Sequence, residues 1–161
     1  MTRILGIDPA LTVTGYGAID LTKKGLVLIE AGIINTSASQ KITDRLNKIH
    51  QAVSGLIRDT RCDIMVLEKL YAHYRHPTTA YILGQARGVI CLACAQNGIA
   101  LAEYSATRVK KAIVGSGLAS KSQVQRMVCD TLGLKIPPKY LDVTDALALA
   151  IAHSHMIKSK I

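Results

Sequence analysis

The sequence predicts an α/β fold: one five-stranded mixed sheet, three antiparallel strands followed by two parallel crossovers, flanked by helices. Three observations carry this reading. Residues 3–34 contain three apolar or alternating runs joined by short connections, the pattern of a meander. Beyond residue 40, stretches with apolar residues at helical spacing alternate with two short apolar runs, 62–68 and 99–105. The remainder of the chain reads as helix.

"RILGID" (3–8) is the first strand; Ile4 and Leu5 start it, Asp8 ends it, and Pro9 follows at once. "VTGYGAID" (13–20) alternates and forms the second, with Gly15 and Gly17 reserved for a tight turn or a close approach to a ligand backbone. "TKKG" (22–25) is a turn, and "LVLIEAGII" (26–34) is the third strand. A helix spans Gln40 to Asp59, because Ile42, Leu46, Ile49, Val53, Leu56 and Ile57 share one face. "CDIMVLE" (62–68) is a short buried strand that ends in Glu68, and "KLYAHYRHP" (69–77) is a polar, basic, aromatic loop. Thr78 or Thr79 is positioned to cap a long helix that Gly98 ends. "IALAEYS" (99–105) is the fifth strand. Helices follow at about 106–114, 121–132 and 143–157, with a Ser120/Gln123 capping box and Gly133 bounding the second.

The 161 residues are 49% hydrophobic, enough for a sizeable core in a single domain spanning 1–161. The net charge of +9 points to a polyanionic partner, nucleic acid before an acidic membrane surface. The N-terminus carries no targeting pattern. No apolar run reaches the ~20 residues of a membrane span, so a soluble, cytoplasmic protein is expected. Cys62, Cys91, Cys94 and Cys129 lie in apolar surroundings and read as reduced thiols. Cys91 and Cys94 form a CxxC with no second pair, which argues against zinc.

Four acids stand at element ends. Asp8 closes strand one, Glu68 closes strand four, and Asp142 and Asp145 open the last helix at i, i+3. If strands one and four are parallel neighbours, these carboxylates converge on one sheet edge. Singly, each has a bland reading: Asp8 as a turn former, Glu68 as a solvated strand end, Asp142 as a helix cap. Jointly they call for a cation, since clustered carboxylates resist ionising together. With no lysine evidently paired to each acid, Mg²⁺ is the natural partner. Two such ions roughly 4 Å apart activate water against a phosphodiester. A basic protein with an acidic metal cleft fits a nuclease.

Other readings compete. "GSGLASKS" (115–122) nearly matches a phosphate-binding loop, but Ser120 stands where its second Gly belongs and helix, not strand, precedes it. A capped helix start that meets a DNA phosphate with its amides and Lys121 fits better. An actin-like or sugar-kinase phosphotransferase shares the opening strand, Asp and Gly-rich hairpin, but ordinarily needs two such domains. A non-catalytic DNA-junction binding module would need the basic charge and aromatic loop but not the acids. His73 and His76 in the basic, aromatic loop, and His153 and His155 on the last helix, offer a zinc reading, but phosphate contact or solvation fits the loop pair better than metal.

"GIDPALTVTGYG" (6–17), "LE" (67–68), "GQARGV" (84–89), "VKKAIVGSGLASKSQVQRMV" (109–128) and "DVTDALALAIAH" (142–153) together resemble the RuvC-type Holliday junction resolvases. The resemblance runs in register from Arg3 to about His155. It implies an RNase H-like fold, a homodimer, and Mg²⁺-dependent cutting of two opposed strands of four-way junction DNA. Mn²⁺ is expected to substitute, and a branch-migration helicase complex is the implied partner. Asp8, Glu68, Asp142 and Asp145 fall on the family's acidic metal positions. Lys110 and Lys121 fall on its basic DNA-contacting positions, and Lys111 and Arg75 are further expected DNA contacts. Departures are Ala10 where Gly is frequent, Tyr71 where a wedge Phe is usual, and an end without a basic tail. A phenol ring can still stack on a base.

Overall fold

The computed structural model describes residues 1–70 and 77–158. Its elements run β1 (Thr2–Asp8), β2 (Val13–Thr22), β3 (Gly25–Asn35), α1 (Ile42–Thr60), β4 (Ile64–Glu68), α2 (Pro77–Gln96), β5 (Ala100–Tyr104), α3 (Ala106–Val114), α4 (Lys121–Leu132) and α5 (Leu141–Lys158). The strands form one sheet in the order β3-β2-β1-β4-β5. β1–β2 and β2–β3 pair antiparallel, while β1–β4 and β4–β5 pair parallel. The expected mixed sheet is therefore present, with β1 at its centre.

Alternation along each strand divides the core into two layers. Leu5, Ile7, Met65 and Leu67 face α1 and α2. Ile4, Ile19 and Val66 face α3, α4 and α5. Helix α5 is buried along most of its length, so its apolar residues show no stripe. It runs against β1 and β2 through Ala146, Leu147 and Ala150.

That contact explains the glycines of the opening motif. A Cβ on Gly6 would lie 2.0 Å from the Ala146 carbonyl oxygen, and one on Gly15 would lie 2.1 Å from that of Asp142. One on Gly17 would meet Leu147 Cδ2 at 2.4 Å. Gly15 and Gly17 thus serve neither a turn nor a ligand backbone, as the sequence reading had it. They are strand residues that admit helix α5 closely onto the sheet, a contact between segments far apart in the chain that local pattern does not encode.

Two boundaries differ from expectation. The fourth strand starts at Ile64, and Cys62 instead packs under the α1–α2 layer. Thr78 and Thr79 lie inside α2 rather than capping it, because the helix already includes Pro77. Proline suits a first helical turn, where an N–H has no partner to lose. The Ser120/Gln123 capping box is present, and Gly98, Gly115 and Gly133 end their helices with positive φ.

The sheet end remote from Asp8 holds a paired acid. Arg3 grips Asp20 with two bonds of 2.7 and 2.8 Å and donates a third, 2.5 Å, to the Thr60 carbonyl. Arg3 holds the Asp20 carboxyl below its ordinary range. The guanidinium ties β1, β2 and the end of α1 together.

Candidate active site

Parallel pairing of Ile4–Ile7 with Ile64–Leu67 carries β1 and β4 to the same edge. One residue further on each, Asp8 and Glu68 emerge side by side. Both lie on the face covered by α5, as the period of two requires from Ile4 and Val66. Helix α5 enters over Gly15, which pairs with Asp8 across the β1–β2 ladder. Asp142 and Asp145 in its first turns thereby reach the same edge. Asp142 is the second helical residue and sits against Gly15, so it is not the outlying cap of the bland reading.

Asp8, Glu68 and Asp145 line a cavity of about 340 Å³ together with Lys110, Lys121, Ala106, Val109, Val124, Ala148 and Leu149. Asp142 does not line this cavity, yet its charge acts on Asp8. Burial, then repulsion from Asp145, Asp142 and Glu68, pushes the Asp8 carboxyl up to about 7. Burial and Asp145 raise Glu68, opposed by Lys110, Lys121 and Arg87. Burial raises Asp145, opposed chiefly by Lys121.

Lysines do stand beside the acids, contrary to the sequence expectation. Lys121 Nζ is 3.6 Å from Asp145 Oδ2. The partner was invisible because α4 and α5 are joined only by tertiary packing. Lys110 shares the cleft, whereas Lys111 is exposed on α3 and does not line it. Tyr71, Arg75, His73 and His76 lie outside the described residues.

Arg87, within "GQARGV", is a functional residue that the sequence pattern does not mark. It donates from Nη1 to the Glu68 carbonyl at 2.7 Å and forms an ion pair with Glu103. Meanwhile the Lys69 amide bonds the Tyr104 carbonyl at 2.8 Å. Both groups of the Glu68–Lys69 peptide that closes β4 are thus held. The available signal was a charge inside an otherwise apolar helix. Arg87→Ala is expected to slow phosphodiester cutting about 10- to 100-fold, as misplaced catalytic groups do. Arg87→Lys restores part of the rate. Single-turnover cutting beside thermal unfolding checks this, and an unchanged rate in Arg87→Ala would count against a positioning role.

His153 is buried and shares a 2.7 Å hydrogen bond with Tyr104, and His155 Nδ1 is 3.0 Å from the Ala112 carbonyl. Neither lines the cavity. The four cysteines are free thiols. Among the described residues no three or more His, Cys, Asp or Glu side chains stand close enough together to hold a metal ion as they lie. The donor set nevertheless fits a hard divalent cation: carboxylate oxygens only, and a negative charge that Lys121 and Lys110 offset in part.

The family description for crossover junction endodeoxyribonuclease RuvC matches residues 4–153. The chain belongs to the RuvC family. A Rhodopirellula baltica member is 42% identical over 158 residues, 98% of this chain and 89% of its own length. A Clostridioides difficile member is 41% identical, covering 96% of this chain and 91% of its own. The structure of Thermus thermophilus RuvC in complex with Holliday junction substrate superposes at a TM-score of 0.94 with 29% identity. That match covers 99% of this chain and 97% of that one. The RuvC match makes the sheet and helices an RNase H-like fold and the chain an endodeoxyribonuclease. Among the described residues no helix is long and apolar enough to cross a membrane.

Proposed function

We propose that this chain resolves four-way DNA junctions, with Asp8, Glu68, Asp142 and Asp145 as its metal-binding acids. The observation that carries the reading is the cleft in which Asp8, Glu68 and Asp145 meet Lys110 and Lys121. A site of carboxylates alone would repel DNA; this one places cations beside them to receive a phosphate. Lys110 and Lys121 hold the scissile phosphate, and the capped N-terminus of α4 turns its free amides toward a neighbouring one. Asp8, deprotonated when a cation arrives, anchors the centre of the site. Held by Asp8, Glu68, Asp142 and Asp145, two Mg²⁺ ions, or Mn²⁺ in their place, would supply an activated water and offset charge on the leaving oxygen. The water gives up a proton to solvent as its oxygen bonds to phosphorus in line, the bond to the 3′ oxygen breaks, and that oxygen takes a proton from solvent, so the products carry a 5′-phosphate and a 3′-hydroxyl.

Cutting of two opposed strands requires two sites, so a homodimer is part of the proposal, with Tyr71 and Arg75 of each copy supporting the opened junction. One nuclease domain per chain, working with a branch-migration helicase complex in the cytoplasm, completes it. The test is a synthetic four-way junction against plain duplex, with Mg²⁺ and then with EDTA. Paired nicks in the junction only, lost in EDTA, are expected. Duplex cut as fast as the junction would defeat the reading.

Junction binding without metal is expected to weaken steeply with salt. Each phosphate neutralised contributes a slope of about −0.9 on a double-logarithmic plot. Lys110→Ala and Lys121→Ala should each flatten it by about one. A flat response in the unaltered protein would mean that these lysines do not meet phosphate.

A further inference from the structure

Between α3 and α4, two helices that line the acidic cleft, the chain displays a leucine to solvent. Leu118 is 94% exposed. Single exposed apolar residues are ordinary, but this one is held on a fixed backbone. Its own amide bonds Ser116 Oγ at 3.3 Å, and the Ala119 amide bonds the Ser116 carbonyl at 3.3 Å. Ala119 is buried. Gly117 packs so closely on α3 that a Cβ there would meet Thr107 Cγ2 at 2.5 Å. Ser120 then starts α4 with a full capping box. The residues on either side of Leu118 are thus pinned, and its side chain projects to solvent.

The flanking helices both line the acidic cleft, α3 through Ala106, Val109 and Lys110 and α4 through Lys121 and Val124. Lys121 is three residues from Leu118, a chain path of about 11 Å at most. A phosphate seated at Lys121 therefore brings its own nucleotides within reach of Leu118. An isobutyl group offers phosphate nothing. What it can cover on DNA is a base face, a thymine methyl or a deoxyribose, and apolar side chains inserted beside a base step unstack it.

Resting on the junction-cutting reading, we propose that Leu118 contacts an unstacked base beside the scissile phosphate and sets the nucleotide preference of cutting. The preorganised loop means that little ordering is lost on contact.

The test has two arms. In EDTA, junctions carrying 2-aminopurine at the nucleotides flanking the cut report unstacking as a fluorescence rise. With Mg²⁺, a set of junctions varied at those nucleotides reports the preference. Leu118→Ser is expected to remove at least half of the fluorescence rise and to compress the spread of single-turnover rates about tenfold. Its salt slope of binding stays unchanged, since no phosphate contact is lost. Leu118→Lys is expected to steepen that slope by about one without restoring either signal. Ile136→Ala, which trims an exposed isoleucine on the α4–α5 connection, retains both. A Leu118→Ser protein with the parent's fluorescence and preference overturns the proposal. If the parent binds junctions but does not cut them, the resolvase reading fails, while the fluorescence arm still decides whether Leu118 meets a base.

Discussion

Asp8→Asn is expected to lower junction cutting by at least about 10³-fold, as loss of a central metal-holding group does, while junction binding persists. Glu68→Gln should behave likewise. If either cuts normally with Mg²⁺, the assignment of the acids is wrong. A chain that only bound junctions would show no change in its products on Asp8→Asn. The same variant has a second readout that needs no activity. Asp8 is a carboxyl raised to about 7 by burial and by Asp145, Asp142 and Glu68. The folded protein holds this proton more tightly than the unfolded chain, which releases it near pH 4. Stability of the metal-free protein therefore falls as pH rises from about 4 through about 7. Asn carries no charge to be buried. In EDTA at pH 8, Asp8→Asn should unfold at higher temperature than the parent, by roughly 1–3 kcal/mol of stability. Near pH 4 the two should converge. Mg²⁺ should stabilise the parent at pH 8 and the variant much less. Equal melting of the metal-free proteins at pH 8 would show that the four acids do not repel one another as their placement implies.

Gly15→Ala is expected to be nearly as damaging, although it touches no charge. Its Cβ would lie 2.1 Å from the Asp142 carbonyl oxygen and 2.2 Å from its carbon. Backbone cannot turn aside as a side chain can, so the start of α5 must lift. The stability cost is that of overpacking, about 1–3 kcal/mol. The functional cost is larger, because the lifted turn carries Asp142 and Asp145: cutting should fall at least about 100-fold. Gly55→Ala is the matching control. Gly55 lies within α1 with open space around its Cβ position. There alanine should stabilise by about 0.5–1 kcal/mol through helix propensity and leave cutting unchanged. Thermal unfolding and single-turnover cutting of both variants check the contrast. Equal effects of the two substitutions would mean that α5 does not bear on the sheet at Gly15.

Asp8 was legible as an anomaly because it directly follows the apolar run from Ile4 to Ile7, and Glu68 repeats it at the end of β4. Parallel pairing of two strands places their carboxyl ends on one edge whatever the intervening helix contains, so chain order sufficed to bring these two acids together. The pair at i, i+3 on α5 was likewise a matter of helical period. These are local rules, and they identified the four acids, the meander and the Ser120 cap.

Contacts between distant elements followed no such rule. Lys121 faces Asp145 because α4 and α5 pack on one face of the sheet. Arg87 holds the Glu68 carbonyl because α2 covers the other. Composition and periodicity give each helix a buried side but not its rotation and height on the sheet, which set these pairs. The glycines make the difference plain. In "GIDPALTVTGYG" the pattern of a strand with an acid at its end belongs to the chain itself. That Gly6, Gly15 and Gly17 form a smooth track for α5 depends on the helix that lies there. Only the folded molecule has both surfaces, and the absence of a Cβ at these positions matters only because the helix lies against them.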